Sequence, residues 1–370
     1  MELSFDAWKD GQVRPATIEV PVVRLDVKDS SQLRATLRGH TDLISALASA
    51  PDDKTLASCS RKGEVKLWDV TSAKEKRTLS QSGRYVMSLA FLSDGSTLAT
   101  SCSEAFGTDG KTLPSSHLGR EIKGYRGGIT LWDSATGKKR GVLQRQPPRG
   151  VNRIALSPDG KTLAANEFWR EDDGKDSKDC IAVWDVASGK VGRDLDLTDP
   201  GVIAFAPDSK TLAVSTLKGV QLFDIATGQK RGKLDSGNNY LSALAFTPDG
   251  KTLAGCGLQG TVYLWNIVRG VEKARLRHGD SPNSCSMALA IAPDGKTLAV
   301  GIGPRNIYIN EPAEIVLWDL ARGEKRLTLR GHVGNIWALA FNKDGTLLAS
   351  GGVDNTIKLW NVAPRSASKR

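Results

Sequence analysis

One short phrase returns seven times along the chain. It reads PDDKTLA from Pro51, SDGSTLA from Ser93, SPDGKTLA from Ser157, PDSKTLA from Pro207, PDGKTLA from Pro248 and again from Pro293, and KDGTLLA from Lys343. Corresponding turn positions lie 42, 65, 49, 41, 45 and 50 residues apart. By length alone, 370 residues suit two or three average domains or one repeat array. Self-similarity at this period selects the array, because each unit is too small to cover its own apolar sides and must lean on neighbours.

The local chemistry of the phrase is that of a hairpin turn. Pro presets φ for the second position of a type I turn, Asp bonds its own backbone, and Gly accepts the left-handed position that closes the hairpin. Asp53 and Ser209 replace that Gly, and Ser tolerates the conformation less well, which predicts the more strained turn at Ser209. Small apolar runs such as Ile203-Ala204-Phe205 precede the turn, and Thr-Leu-Ala follows it. A third run comes next (VKLWD, ITLWD, IAVWD, VQLFD, VYLWN, IVLWD, IKLWN), then a polar, basic fourth. The first run reads as a strand buried on both faces and the fourth as an exposed edge.

The Trp-Asp endings at Trp68, Trp132, Trp184 and Trp318, with Gly39-His40 and Gly331-His332, resemble the WD-repeat family over roughly residues 33–362. The resemblance implies an all-β fold, a seven-bladed WD40-type β-propeller of four-stranded antiparallel blades. It also implies a tetrad of His, Ser/Thr, Asp and Trp that ties strands within a blade. Carried over, the last repeat holds all four, His332, Ser350, Asp354 and Trp360. The first holds His40, Ser58 and Trp68 with Lys62 at the Asp position, and the fourth has Phe223 for Trp and Val214 for the hydroxyl. Apolar packing must therefore hold most blades.

A ring must join its ends. Leu33-Arg34-Ala35-Thr36-Leu37-Arg38 before Gly39-His40 nearly repeats Leu327-Thr328-Leu329-Arg330 before Gly331-His332, so residues 33–38 are expected to complete the last blade. Residues 1–32 do not repeat: ATIEVPVVRLDV reads as a further strand, and the first dozen residues as loose. Residues 363–370 read as a basic disordered tail. Either end could be a cut from a larger protein.

Insertions show where the repeat varies. Thr100 and Trp132 are 32 residues apart, against 10 from Ser350 to Trp360, and blades 3 and 6 carry about nine and about eight extra residues in the same loop. In the family fold these loops share the top rim, which points to a recognition face. Alignment places Asp42, Arg84, Tyr85, Arg149, Thr198, Asp199, Asn239, Tyr240, Ser284 and Asn335 at the top mouth of the channel. One step inside come Ser45, Met87, Asn152, Ser242, Met287 and Trp337. Tyr, Trp, Arg and Met are enriched at protein-binding centres, although Met87, Met287 and Trp337 equally suit a packed channel wall. Phe168 and Trp169 of the blade 3 insertion either anchor a partner or cover their own loop.

Other functions find less support. The acidic run Asp172, Asp173, Asp176 and Asp179 departs from calcium-loop spacing and reads as a solvated loop; His117 reads as a surface histidine. HExxH, a Walker loop, GxSxG and CxxC are absent, so no catalytic, cofactor or metal site is assigned. Asp42 and Asp199 are the only mouth carboxylates and belong to different blades. Five scattered cysteines suit a reducing, cytoplasmic setting. No apolar run of ~20 residues exists to span a bilayer, and no secretory leader is legible. Of the net charge of +10, the third-to-fourth-strand segments hold an excess of 14 positive charges and the tail three more. Such a band either guards outer edges or attracts nucleic acid or an anionic surface; missing aromatics disfavour base readout. The expectation is a monomeric, non-catalytic scaffold that binds protein or peptide partners through its top face.

Overall fold

The computed structural model describes residues 3–9, 12–18, 32–80, 84–106, 124–170, 177–237, 239–278, 284–306 and 311–362. Each repeat forms one four-stranded antiparallel sheet, with strands ordered as in the chain. The innermost strands are Ile44–Ser49, Leu89–Phe91, Gly150–Leu156, Ile203–Phe205, Leu241–Phe246, Ser284–Ile291 and Ile336–Phe341, for blades 1 to 7. Each touches the innermost strand of the next blade, and Ile336–Phe341 touches Ile44–Ser49, so the ring is closed. The seventh sheet takes its outer strand from upstream: Leu33–Leu37 pairs with Ile357–Asn361, with Leu37 opposite Ile357 and Ala35 opposite Leu359. A closed ring leaves no terminal blade with an uncovered face.

The apolar core is divided among the blade interfaces. Seven clusters of buried side chains each draw on two adjacent blades. Between blades 6 and 7, for example, Ala299, Ile315, Leu317 and Leu329 meet Ile336, Leu348 and Trp360. The large aromatic ring of every third strand faces the preceding blade: Trp68 joins Leu37 and Leu359, Trp265 joins Leu222 and Leu234, and Phe223 joins Ile181 and Leu195. An aromatic ring hides ~150–250 Å². At ~25 cal/mol per Å² that contributes at most about 4–6 kcal/mol per interface.

Burial along the strands corrects one expectation. The second strands are the ones covered on both faces; Thr55–Ser60, Thr297–Pro304 and Leu347–Gly352 are buried at every position. The innermost strands are half-exposed, as in Leu241–Phe246, because one of their faces lines the channel. Their small side chains reflect crowding where seven strands converge.

The repeated turn has the same geometry at all seven sites. The position closing it has φ of 55° at Asp53, 64° at Gly95, 71° at Gly160, 57° at Ser209, 69° at Gly250, 67° at Gly295 and 71° at Gly345. At the two sites without Gly, the side chain accepts a hydrogen bond from a neighbouring blade. Lys343 N donates to Asp53 Oδ1 (2.6 Å), and Asp159 N donates to Ser209 Oγ (3.0 Å). The strain expected at Ser209 is thus offset by a tie between blades.

Polar ties within blades are uneven. In blade 7, Trp360 Nε1 donates to Ser350 Oγ (2.8 Å), which lies 2.7 Å from His332 Nε2, while His332 Nδ1 lies 2.9 Å from Asp354 Oδ2. An ionised Asp354 can only accept, so Nδ1 carries the proton and Ser350 donates to Nε2. Blade 1 repeats this arrangement with Trp68, Ser58 and His40, but its carboxylate is Glu64 (Oε2 3.2 Å from His40 Nδ1), two residues beyond Lys62. Glu64 also accepts from Thr41 N and Thr41 Oγ1, both at 2.9 Å. The longer side chain reaches back to the site from which Lys62 is missing a carboxylate. In blade 2 Thr100 Oγ1 takes the same role for Trp132, whereas Trp184 donates to Glu167 Oε1 and Trp265 to Asp235 O.

The upstream segment departs from the sequence reading. Leu3–Lys9 and Gln12–Ile18 pair as a separate antiparallel two-stranded sheet, where the first dozen residues read as loose. Only Ala16, Thr17 and Ile18 of the expected further strand fall within it. Residues 19–31 and the tail 363–370 lie outside the described residues.

Candidate functional site: the top rim and the channel

The insertions lengthen strands. In blade 2 the second and third strands are Thr97–Phe106 and Gly124–Asp133, in blade 3 Thr162–Arg170 and Ser177–Asp185, and in blade 6 Thr297–Pro304 and Pro312–Asp319. In blades 4 and 5 the same strands have six residues each and are joined by short turns, Thr216 to Gly219 and Gly257 to Thr261. The top rim therefore has two low sectors, one at blades 7 and 1 and one at blades 4 and 5, the latter flanked by the taller ribbons of blades 3 and 6. Exposed apolar side chains gather in that sector: Leu217 (53% exposed), Leu258 (39%) and Tyr240 (47%). Gly257 packs against the Tyr240 backbone so closely that a Cβ would sit 2.0 Å from its carbonyl oxygen, which holds Tyr240 beside the Leu258 turn.

Below Tyr240 opens a central channel of about 640 Å³. All six residues aligned one step inside the mouth line it: Ser45, Met87, Asn152, Ser242, Met287 and Trp337. Two charged residues share the wall, Arg153 and Asp179. Burial, and then the Asp199 carboxylate, push the Asp179 carboxyl above its ordinary range. Arg153 was not singled out in the sequence, although a signal existed. Its strand position is occupied by Ala46, Ser88, Val202, Ala243, Ala288 and Ala338 in the other blades, so one long cation interrupts a run of small residues.

Several residues aligned to the mouth are engaged by the fold itself, within a blade or, for Asn335, across to blade 6. Asn239 is buried, with its amide donating to the Tyr263 hydroxyl. Asn335 is buried too, donating to Pro304 O at 2.9 Å. Arg84 reaches Glu104 Oε2 (3.3 Å) and Cys102 Sγ (3.5 Å), and Tyr85 is bridged through its backbone to Ser103. Asp42 is half-buried, whereas Thr198 and Asp199 are exposed. Tyr240 and Trp337 alone of the aromatic candidates border the channel.

The blade 3 ribbon is stapled from inside. Glu167, 1% exposed, lies 2.7 Å from Arg145 Nε and 3.8 Å from Arg149 Nη1, and both arginines also pair with Asp194. Burial pushes Glu167 up, against the pull of Arg145. The Arg149 guanidinium caps the Trp169 ring at 3.7 Å. Phe168 lies over Gly150, where a Cβ would come within 2.5 Å of its ring. Arg149, Phe168 and Trp169 thus brace their own blade. The signal for this was Glu167, two residues beyond Ala165 in a position where an unpaired carboxylate would be buried. His117, Asp172, Asp173 and Asp176 lie outside the described residues.

Many outer-strand cations are engaged by the fold. Arg77 donates to Ala135 O (3.2 Å) and Arg193 to Ala226 O (2.7 Å), each clasping the next blade's turn. Arg140 pairs with Asp133 at 2.7 Å, Arg275 with Glu272 at 2.7 Å, and Arg231 with Asp224. All five cysteines are free and buried. Among the described residues no helix is long and apolar enough to cross a membrane.

Comparison with known proteins agrees with this architecture. The family model "WD domain, G-beta repeat" matches residues 31–69, 228–266 and 323–361. The chain is a WD-repeat β-propeller. The other blades keep the strand order while departing from the repeat's consensus polar residues, as Phe223 and Val214 show. Relatives include a periodic tryptophan protein 2 homolog from Schizosaccharomyces pombe, 43% identical over 53 residues, or 14% of this chain and 6% of the relative. Eukaryotic translation initiation factor 3 subunit I is similar over 44 residues in Phaeosphaeria nodorum (50% identical; 12% of this chain, 13% of the relative). In Neurospora crassa it is 39% identical over 54 residues (15% and 16%). The matched stretches thus span well under two thirds of these relatives, about one repeat's worth in each.

Proposed function

We propose that this WD-repeat propeller is a non-catalytic, cytoplasmic scaffold that holds a protein or peptide partner against the low sector of its top rim at blades 4 and 5. The observation that carries the reading is the exposed Tyr240 on the channel lining, together with the exposed Leu217 and Leu258 in the rim turns of blades 4 and 5. An exposed aromatic ring is what binding centres enrich, adjoining apolar side chains suit the desolvated core of an interface, and taller ribbons on either side supply a rim that excludes water. The similarity, over about one repeat, to a subunit of a eukaryotic translation initiation factor supports a scaffolding role. Engagement of the outer cations in clasps and ion pairs favours this reading over a nucleic-acid or anionic-surface binder. Five buried thiols suit a reducing compartment.

The test compares partners recovered by wild type, by Tyr240→Ala/Leu258→Asp, and by an outer-strand control, Lys273→Ala. Loss of a defined set of partners from the top-rim variant alone is the expected result. Identical recovery by all three removes the reading.

A further inference from the structure

We infer that the channel is a receptor for a carboxylate, the side chain of an acidic residue on the docked partner, with Arg153 as its counter-ion. The inference rests on the top-rim reading and adds what enters the channel. Arg153 springs from the inner strand of blade 3 and donates one hydrogen bond, Nη1 to Met87 O at 2.7 Å. Its remaining N–H groups open onto the channel. Among the described residues no carboxylate approaches within 4.0 Å of it, including Asp179 on the same wall. It shares the channel lining with Ser45 of blade 1 and with the exposed Tyr240 of blade 5.

A guanidinium enclosed by protein with no anionic partner is costly, because desolvation is not repaid by an ion pair. The fold does not require it: Ala fills the equivalent position in blades 1, 5, 6 and 7. Five N–H donors in a planar fork match a carboxylate in two-point fashion better than any other anion a protein partner ordinarily carries. Asn152, Ser45 and Ser242 on the surrounding wall add short polar groups at the same depth. A cavity of about 640 Å³ admits one or two side chains and no folded element.

The experiment selects a phage-displayed library of random dodecapeptides on wild type, Arg153→Ala, Arg153→Gln and Tyr240→Ala. Wild type is expected to enrich peptides with Asp or Glu at one fixed position. Affinity of those peptides should fall about tenfold or more with Arg153→Ala or Arg153→Gln, with no fall in melting temperature. Enriched peptides without an acidic position, or with one whose affinity ignores both Arg153 variants, overturn the inference and leave the top-rim reading standing, provided Tyr240→Ala still weakens them. Failure to enrich any peptide overturns both. A parallel titration with succinate separates the source: saturable binding of the free dicarboxylate, lost in Arg153→Ala and unaccompanied by peptide enrichment, reassigns the channel to a small-molecule carboxylate and ends the peptide assignment.

Discussion

Ser350 and Ser58 show how one small hydroxyl organises a blade. Each accepts from an indole and passes its own proton to an imidazole, so two strands of the blade and the segment that leads into it are linked through a single oxygen. The chain of donors ends on a carboxylate that must stay ionised. Asp354 is held down to about 2 from an ordinary value near 3.8; burial raises it, but hydrogen bonds from His332 and Thr356 outweigh that. A depressed carboxylate contributes stability above its unfolded pKa and loses it as pH falls toward the folded value. The contribution is about 2 kcal/mol, fully present above roughly pH 5 and fading between about pH 4 and pH 2. Asp354→Asn should therefore cost about that much in urea unfolding at pH 7. The difference from wild type should close on acidification to pH 2; a constant difference would show that the charge is not the cause.

At the scale of the element, the third-strand aromatic does two separable jobs. Its ring fills an interface with the preceding blade, which Phe223 does as well as any Trp. Its N–H joins a polar network only where an acceptor exists. Trp360 has one in Ser350, whereas the buried Trp318 N–H meets no protein acceptor, since Val300 occupies the corresponding position of its blade. Trp360→Phe is therefore expected to cost about 1 kcal/mol more than Trp318→Phe, because it also leaves Ser350 short of a donor. Equal losses in chemical denaturation would place all the value in the ring. The sequence displayed this division, since blades lacking the hydroxyl or the Trp could be picked out by alignment. It hid Glu64 and Glu167, because a carboxylate two residues out of register reaches the same point through a longer side chain or an extended strand.

For the whole molecule the decisive contact is the pairing of Leu33–Leu37 with Ile357–Asn361. Without it, the edge of blade 7 is bare, and Leu37 no longer covers the interface between blades 7 and 1. Deleting residues 1–38 should replace one cooperative melting transition with a broad or strongly lowered one; an unchanged transition would mean that the ring does not need its clasp. This closure was legible, because the strand before Gly39-His40 repeats the strand before Gly331-His332. The period, the four runs per unit and the turn chemistry are local, and local chemistry is written in consecutive residues. Which side chains face a partner is not local. Asn239 and Arg149 align with the mouth yet are drawn into their own blades, while Arg153 and Tyr240 gain meaning only when separate blades bring them around one opening. Repetition along the chain specified the ring; the convergence of seven different strands on one axis, where each residue's neighbours come from other repeats, decided what the ring can hold.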